Sequence, residues 1–152
     1  MKTAKASASR HRSREAALQM LYAIDLGRRG PAGDAGGVEE VFQSVCENFE
    51  LPEGARAFAK ELLTGVTAKC PALDAEIASH AQRWRISRMA AVDRNVLRLG
   101  AFELLHSDAP AAVVIDEAVE LARRFGGERS PGFVNGILDA IARGRHGAEE
   151  AS

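Results

Sequence analysis

Apolar residues recur every three or four positions along most of the chain, a period that predicts helices from near one end to near the other. Ala17, Met20, Leu21 and Ile24 make the buried stripe of a first helix, from Arg10 to about Leu26. Arg10, Arg14, Leu18 and Tyr22 follow an i,i+4 row on a different side of it. Arg28–Gly37, with Pro31 and four glycines, reads as a flexible loop. Val38, Val41, Phe42, Val45 and Phe49 mark a second amphipathic helix. Pro52 suits the first turn of a third, which points Ala55, Phe58, Ala59, Leu62 and Val66 inward and runs to about Lys69. Pro71 disfavours helical geometry at Cys70, so a break or kink is expected there before a short segment over 72–81.

The strongest pattern is Val92–His106, VDRNVLRLGAFELLH, whose apolar positions point nearly all round the axis. A helix of that kind belongs inside a bundle, with neighbours on several faces. Gly100 would cost about 1 kcal/mol there relative to Ala, which close approach by a neighbouring helix would offset. Before this hub, Gln82–Ala91 is a joint in which Trp84 and Ile86 alternate with Arg83, Arg85 and Ser87, and Ser87 is placed to cap a short turn. After it, Val114, Ala118, Leu121 and Phe125 form a helical stripe that overrides the strand propensity of Val113–Ile115. Glu120 is spaced to pair with Arg124. Gly126–Gly127 ends that helix, Ser130 and Pro131 open the next, and Phe133, Val134, Ile137, Leu138 and Ile141 carry its core face. Gly136 is expected at a tight helix–helix contact.

These elements predict an all-α protein, a compact bundle of about seven helices in two halves, 10–81 and 82–143. Residues 1–9 are expected as a flexible basic arm and 144–152 as a disordered tail. Composition agrees, being rich in Ala, Leu, Glu and Arg and holding 5% aromatics. With no run of 18 apolar residues and no apolar leader, neither a membrane span nor secretion is expected, and a cytoplasmic location is. Cys46 and Cys70 have no CxxC partner and read as reduced thiols. The four histidines fit no metal-ligand spacing, so no metal is expected.

The net charge of −1 hides an asymmetry. Residues 1–14 carry Lys2, Lys5, Arg10, Arg12 and Arg14 with no acid, while the remainder holds fifteen cations against twenty-one acids. A basic end on an acidic body points to an anionic partner for one and a basic partner for the other. There is no phosphate-cradling glycine loop, no GxSxG and no catalytic pairing that spacing supports, so no catalytic residue and no cofactor are expected. Carboxylate pairs such as Asp116–Glu117 read as solvated helix faces. The best functional patch is the arm and first helix. There Arg10, His11, Arg12 and Arg14 offer charge for phosphates, and Tyr22 offers a ring on which an unpaired base can stack.

SREAALQMLY (13–22), WRISRMAAVDRNVLRLGAFELL (84–105), VVIDEAVELARRFG (113–126) and SPGFVNGILD (130–139) together resemble the NusB family of transcription antitermination factors. The resemblance implies a non-enzymatic RNA-binding protein that pairs with the ribosomal protein acting as NusE. In that family the pair binds boxA RNA and helps RNA polymerase resist termination, notably on ribosomal RNA operons, and some members self-associate. By resemblance the RNA contacts fall on Arg10, His11, Arg12, Arg14, Tyr22, Arg129, Ser130 and Phe133, and a partner contact falls on Asp93. His11 stands where an arginine is common, and Pro131–Gly132 replaces bulkier residues. Two alternatives are an RNA-binding domain related to ribosomal-RNA cytosine methyltransferases and a structural dimer or adaptor without an RNA role. Such a methyltransferase also carries a nucleotide-binding α/β domain and a catalytic cysteine, and no stretch of the 152 residues reads as either.

Overall fold

A computed structural model describes the backbone of residues 2–29, 37–81 and 83–151, and side chains within 9–27, 37–48, 50–81 and 83–145. The described residues form six α-helices: α1 (Lys2–Arg29), α2 (Val38–Phe49), α3 (Glu53–His80), α4 (Ala91–His106), α5 (Ala111–Phe125) and α6 (Ser130–Ala151). A 3₁₀ turn, Ile86–Arg88, precedes α4. No described helix is long and apolar enough to cross a membrane. Most of the expected Arg28–Gly37 loop lies outside the described residues.

The helix count falls one short of seven because α3 runs straight through Pro71. A proline inside a helix costs about 3 kcal/mol through its missing N–H and its ring. Here Pro71 is exposed, while Leu62, Leu63 and Val66 before it and Leu73 and Ile77 after it are buried to 1% or less. At roughly 1.5–3 kcal/mol for each large apolar side chain buried, those anchors outweigh the penalty. In place of the expected flexible arm, α1 is already helical from Lys2, and α6 continues to Ala151 through the expected tail. Extending a helix that is already nucleated adds a hydrogen bond per residue, and Ala4, Ala6 and Ala8 favour it. The chain divides into two compact units between Ala68 and Lys69, inside α3, rather than at the 82–91 joint.

In the first unit, α1 buries Ser13, Ala16, Ala17, Met20, Leu21 and Ile24. The Ser13 hydroxyl donates to the Ala55 carbonyl of α3 at 2.8 Å. Ala55 and Ala59, fully buried, leave room for that approach. On α2, Phe42 and Cys46 are buried, and burial raises the Cys46 thiol pKa above its usual value. Lys60 bridges to Glu39 at 3.2 Å and hydrogen-bonds it, which with Gln43 holds that carboxyl below its usual pKa.

In the second unit, α4 is the hub: Val96, Leu97, Leu99, Ala101, Phe102 and Leu104 are buried against α5 and α6. A Cβ at Gly100 would lie 2.7 Å from Leu138 Cδ1, so the close approach expected there is present. At Gly136 it is not, because that glycine faces open space. Arg98 grips Asp74 through two bonds, Nε–Oδ1 at 2.7 Å and Nη2–Oδ2 at 2.9 Å, and so ties the last turns of α3 to the hub. Glu120 is met by Arg123, one residue before the arginine the spacing suggested. Val114, Ala118 and Leu121 are buried at i, i+4 and i+7 of α5, the spacing of one helix face and not of a strand, while Val113 is 45% exposed.

Candidate nucleic-acid interface

Each unit carries part of the residue set that sequence reasoning singled out. In the first, Arg10 and Arg12 are exposed on α1, and His11 and Tyr22 are half-buried. Tyr22 is therefore not a core residue, and part of its ring reaches solvent. Arg14 differs from its neighbours in being 4% exposed. Its guanidinium lies 5.5 Å from the centroid of Phe58, and that of Arg10 lies 4.5 Å from the same ring. A cation over an aromatic face is held by the ring quadrupole. The expected row Arg10–Arg14–Leu18–Tyr22 is thus split, since Arg14 and Leu18 are buried and cannot present themselves to phosphates. Arg14 helps position Phe58 and, with it, Arg10.

In the second unit a cavity of about 680 Å³ is lined by Trp84, Arg88, Asp93, Arg129, Ser130 and Phe133 among others. Three local devices build it. The first is Arg94, 2% exposed, which donates from Nη1 to the carbonyls of Ile86 (3.1 Å) and Met89 (2.9 Å). This clamp fixes the 3₁₀ turn beside Trp84, whose N-cap position is taken by Arg85 without a side-chain cap bond. The second is the α5–α6 junction. Ser130 Oγ accepts from the Gly127 N–H at 2.9 Å, so the hydroxyl turns back to the glycine pair instead of capping forward into α6. A Cβ at Gly126 would lie 2.6 Å from that oxygen and 2.8 Å from the Ala122 carbonyl oxygen, so only glycine fits there unmoved. The third is an edge-to-face pair, Trp84 with Phe133, centroids 6.1 Å apart at 75°.

The wall and rim are chemically mixed. Arg88 and Arg129 are exposed, Phe133 is half-buried and Trp84 is 57% exposed. Asp93 contributes a carboxylate whose Oδ1 is buried without a hydrogen-bond partner. The resemblance had set Asp93 on a partner face and Arg129, Ser130 and Phe133 on an RNA face, yet these four share one cavity. Ser130 belongs to it as a buried structural residue. Sequence reasoning did not single out Trp84, Arg88 or Arg94 for function. The one signal for them was a lone tryptophan set among arginines in the 82–91 joint.

Residues 11–143 match the NusB family. The chain is 48% identical over 135 residues to the transcription antitermination protein NusB of Sorangium cellulosum (strain So ce56), a match that covers 88% of this chain and 91% of that protein. Among solved structures it is similar to T. maritima NusB, with a TM-score of 0.79 and 35% identity over 88% of this chain and 90% of that one. It is also similar to a chain in the crystal structure of antitermination factors NusB and NusE in complex with dsRNA, with a TM-score of 0.77 and 31% identity over 90% of this chain and 97% of that one. With a family match across most of its length and a relative this similar, the chain belongs to the NusB family.

Proposed function

We propose that this protein is a transcription antitermination factor that binds boxA-type nascent RNA together with a NusE-type ribosomal protein, acting with RNA polymerase and supporting ribosomal RNA transcription. The observation that carries the proposal is its likeness, over 90% of its length, to a chain solved with NusE and RNA. Arg10 and Arg12 meet phosphates, His11 adds a polar contact, and Tyr22 stacks on an unpaired base. Arg129 and Phe133 add contacts from the second unit, where Ser130 fixes the junction that presents them. Arg14 acts through Phe58 and not by touching RNA. The acidic remainder of the chain complements a basic protein partner.

Salt dependence tests this directly. Removing one arginine–phosphate pair should flatten the plot of log affinity against log salt by about 0.7 for a single strand. The double variant Arg10→Ala/Arg12→Ala should therefore bind boxA RNA more weakly, with a slope lower by about 1.4. Tyr22→Ala should cost about 1–3 kcal/mol of binding with the slope nearly kept, because stacking releases few ions. Arg14→Ala should lower the melting temperature and leave the slope alone. A double arginine variant that is folded and binds with unchanged affinity and slope would remove α1 from the RNA interface.

A further inference from the structure

The cavity of the second unit has a composition that phosphate binding alone does not explain. Two aromatic rings stand edge to face at its mouth, 6.1 Å apart. Trp84 is 57% exposed, which leaves part of its side chain open for a ligand to cover. Arg88 and Arg129 reach solvent beside these rings. The wall also holds the Asp93 carboxylate, with Oδ1 buried and unpartnered. A buried acceptor without a donor is a standing cost, which an incoming donor removes. At about 680 Å³ the space is that of a small-molecule site, ample for a nucleobase.

We infer that this cavity takes one unstacked guanine of the bound RNA, stacked on Trp84 with the Phe133 ring against its edge, with Asp93 accepting from the base's N1–H and 2-amino group. An ionised carboxylate only accepts hydrogen bonds, and it offers two oxygens side by side. Guanine alone among the four bases presents two adjacent donors on its Watson–Crick edge. Adenine and cytosine each place one amino donor next to an acceptor nitrogen, and uracil sets its single N–H between two carbonyls. Both of those patterns turn a lone pair toward the carboxylate. Single-stranded RNA is read in this manner, through splayed bases stacked on rings and bonded along their edges. Arg88 and Arg129 are then placed for the phosphates on either side of the base. The inference rests on the RNA-binding reading above and adds to it a base-specific subsite.

Trp84 is the only tryptophan of the chain, so its fluorescence reports this cavity alone. The probes are seven-nucleotide oligouridines with a central guanosine, inosine or adenosine. Each is followed by Trp84 emission and, independently, by anisotropy of a label on the RNA. Inosine lacks only the 2-amino group. The guanosine probe should quench Trp84 and bind about tenfold more tightly than the inosine probe, the scale of one hydrogen bond to a charged group. Asp93→Ala should make the guanosine and inosine probes equal, and Asp93→Asn, which keeps the shape, should shrink their difference. Phe133→Leu should weaken all three probes. Equal binding of the three probes to the unaltered protein, or RNA binding that leaves Trp84 emission unchanged, overturns the guanine site while RNA binding itself stands. So does an Asp93→Ala variant that keeps its guanosine preference but loses affinity for the protein partner, since the carboxylate would then serve that partner. If anisotropy detects no binding by any probe or by boxA RNA, the RNA reading falls and the subsite with it.

Discussion

Replacing Arg94 tests whether the clamp beneath the cavity is what holds it. The side chain is 2% exposed, and its Nη1 serves two carbonyls, Ile86 at 3.1 Å and Met89 at 2.9 Å. Hydrogen bonds to a charged group contribute about 1.5–3 kcal/mol each. The two carbonyls would not suffer equally. That of Ile86 also accepts the Met89 N–H at 3.2 Å and would keep that bond, whereas that of Met89 would be deprived of its arginine donor. Arg94→Met keeps most of the volume and also removes a buried cation, which returns some desolvation energy. The net cost is therefore about 2–4 kcal/mol, less than two full charged bonds. For a protein of this size that is a fall in melting temperature of roughly 4–16 °C. Thermal unfolding followed by far-UV circular dichroism reads the whole fold, and Trp84 emission reads the turn itself. The variant should melt earlier, and its emission should change even below the transition. Arg143→Ala is the control: its side chain is 81% exposed, and its bond to Asp139 at 3.0 Å is a surface pair worth little. If Arg94→Met shifts melting no more than Arg143→Ala and leaves Trp84 emission untouched, the clamp does not hold the turn.

Two further outcomes follow from the same unit. Gly126→Ala should cost about 1–3 kcal/mol, because its Cβ meets the Ala122 carbonyl at 2.8 Å and the Ser130 hydroxyl at 2.6 Å; Gly127→Ala, whose Cβ has Ser130 Oγ at 3.8 Å, should not, and equal melting shifts would refute the distinction. Partial burial and then the charge of Lys69 lower the pKa of His106 from 6.5, so below that pH the unfolded chain takes up a proton that the folded chain resists. Stability should accordingly rise with pH through the window just below 6.5 and level off above it, and His106→Gln should flatten that rise in melting curves taken on either side of pH 6.5.

The hub could be read from sequence because its pattern leaves few choices. Fifteen residues, apolar on nearly every face, must be a buried helix, and α4 begins one residue before the expected Val92. Likewise the helical stripe in α5 outlasted the strand propensity of three residues. Pro71 could not be read the same way. Its penalty is local and visible in the sequence, while the compensation is tertiary. Asp74, three residues on, is held by Arg98, 24 residues away, and Leu73 and Ile77 are buried by partners that no local window contains. Two helix-interior glycines, on α4 and α6, make the same point from opposite sides. Gly100 and Gly136 carry the same local cost, but only Gly100 has a neighbour, Leu138, pressed against it. Which face of a helix meets another is decided by the bundle and not by the residue.

For the site, the limit lies in how position becomes orientation. An i,i+4 row places Arg10 and Arg14 on one side of α1, yet one is exposed and the other buried under Phe58. A charge count treats them alike, and only the packing of α1 on α3 separates a phosphate-binding arginine from a positioning one. The cavity lay further out of reach. Trp84 and Phe133 are 49 positions apart, and they meet because Arg94 anchors one segment while Ser130 and Gly126 fold the other tightly. Of these anchors only Ser130 lines the space; Arg94 and Gly126 shape it from behind the wall. This separation has a consequence for how the protein can vary. The rings and charged groups that line the cavity can change with the RNA they meet, whereas the buried anchors are bound to backbone atoms and must stay. Substitutions at Arg88, Asp93 or Arg129 should therefore alter binding at nearly constant stability, and substitutions at Arg94 or Gly126 should alter both together.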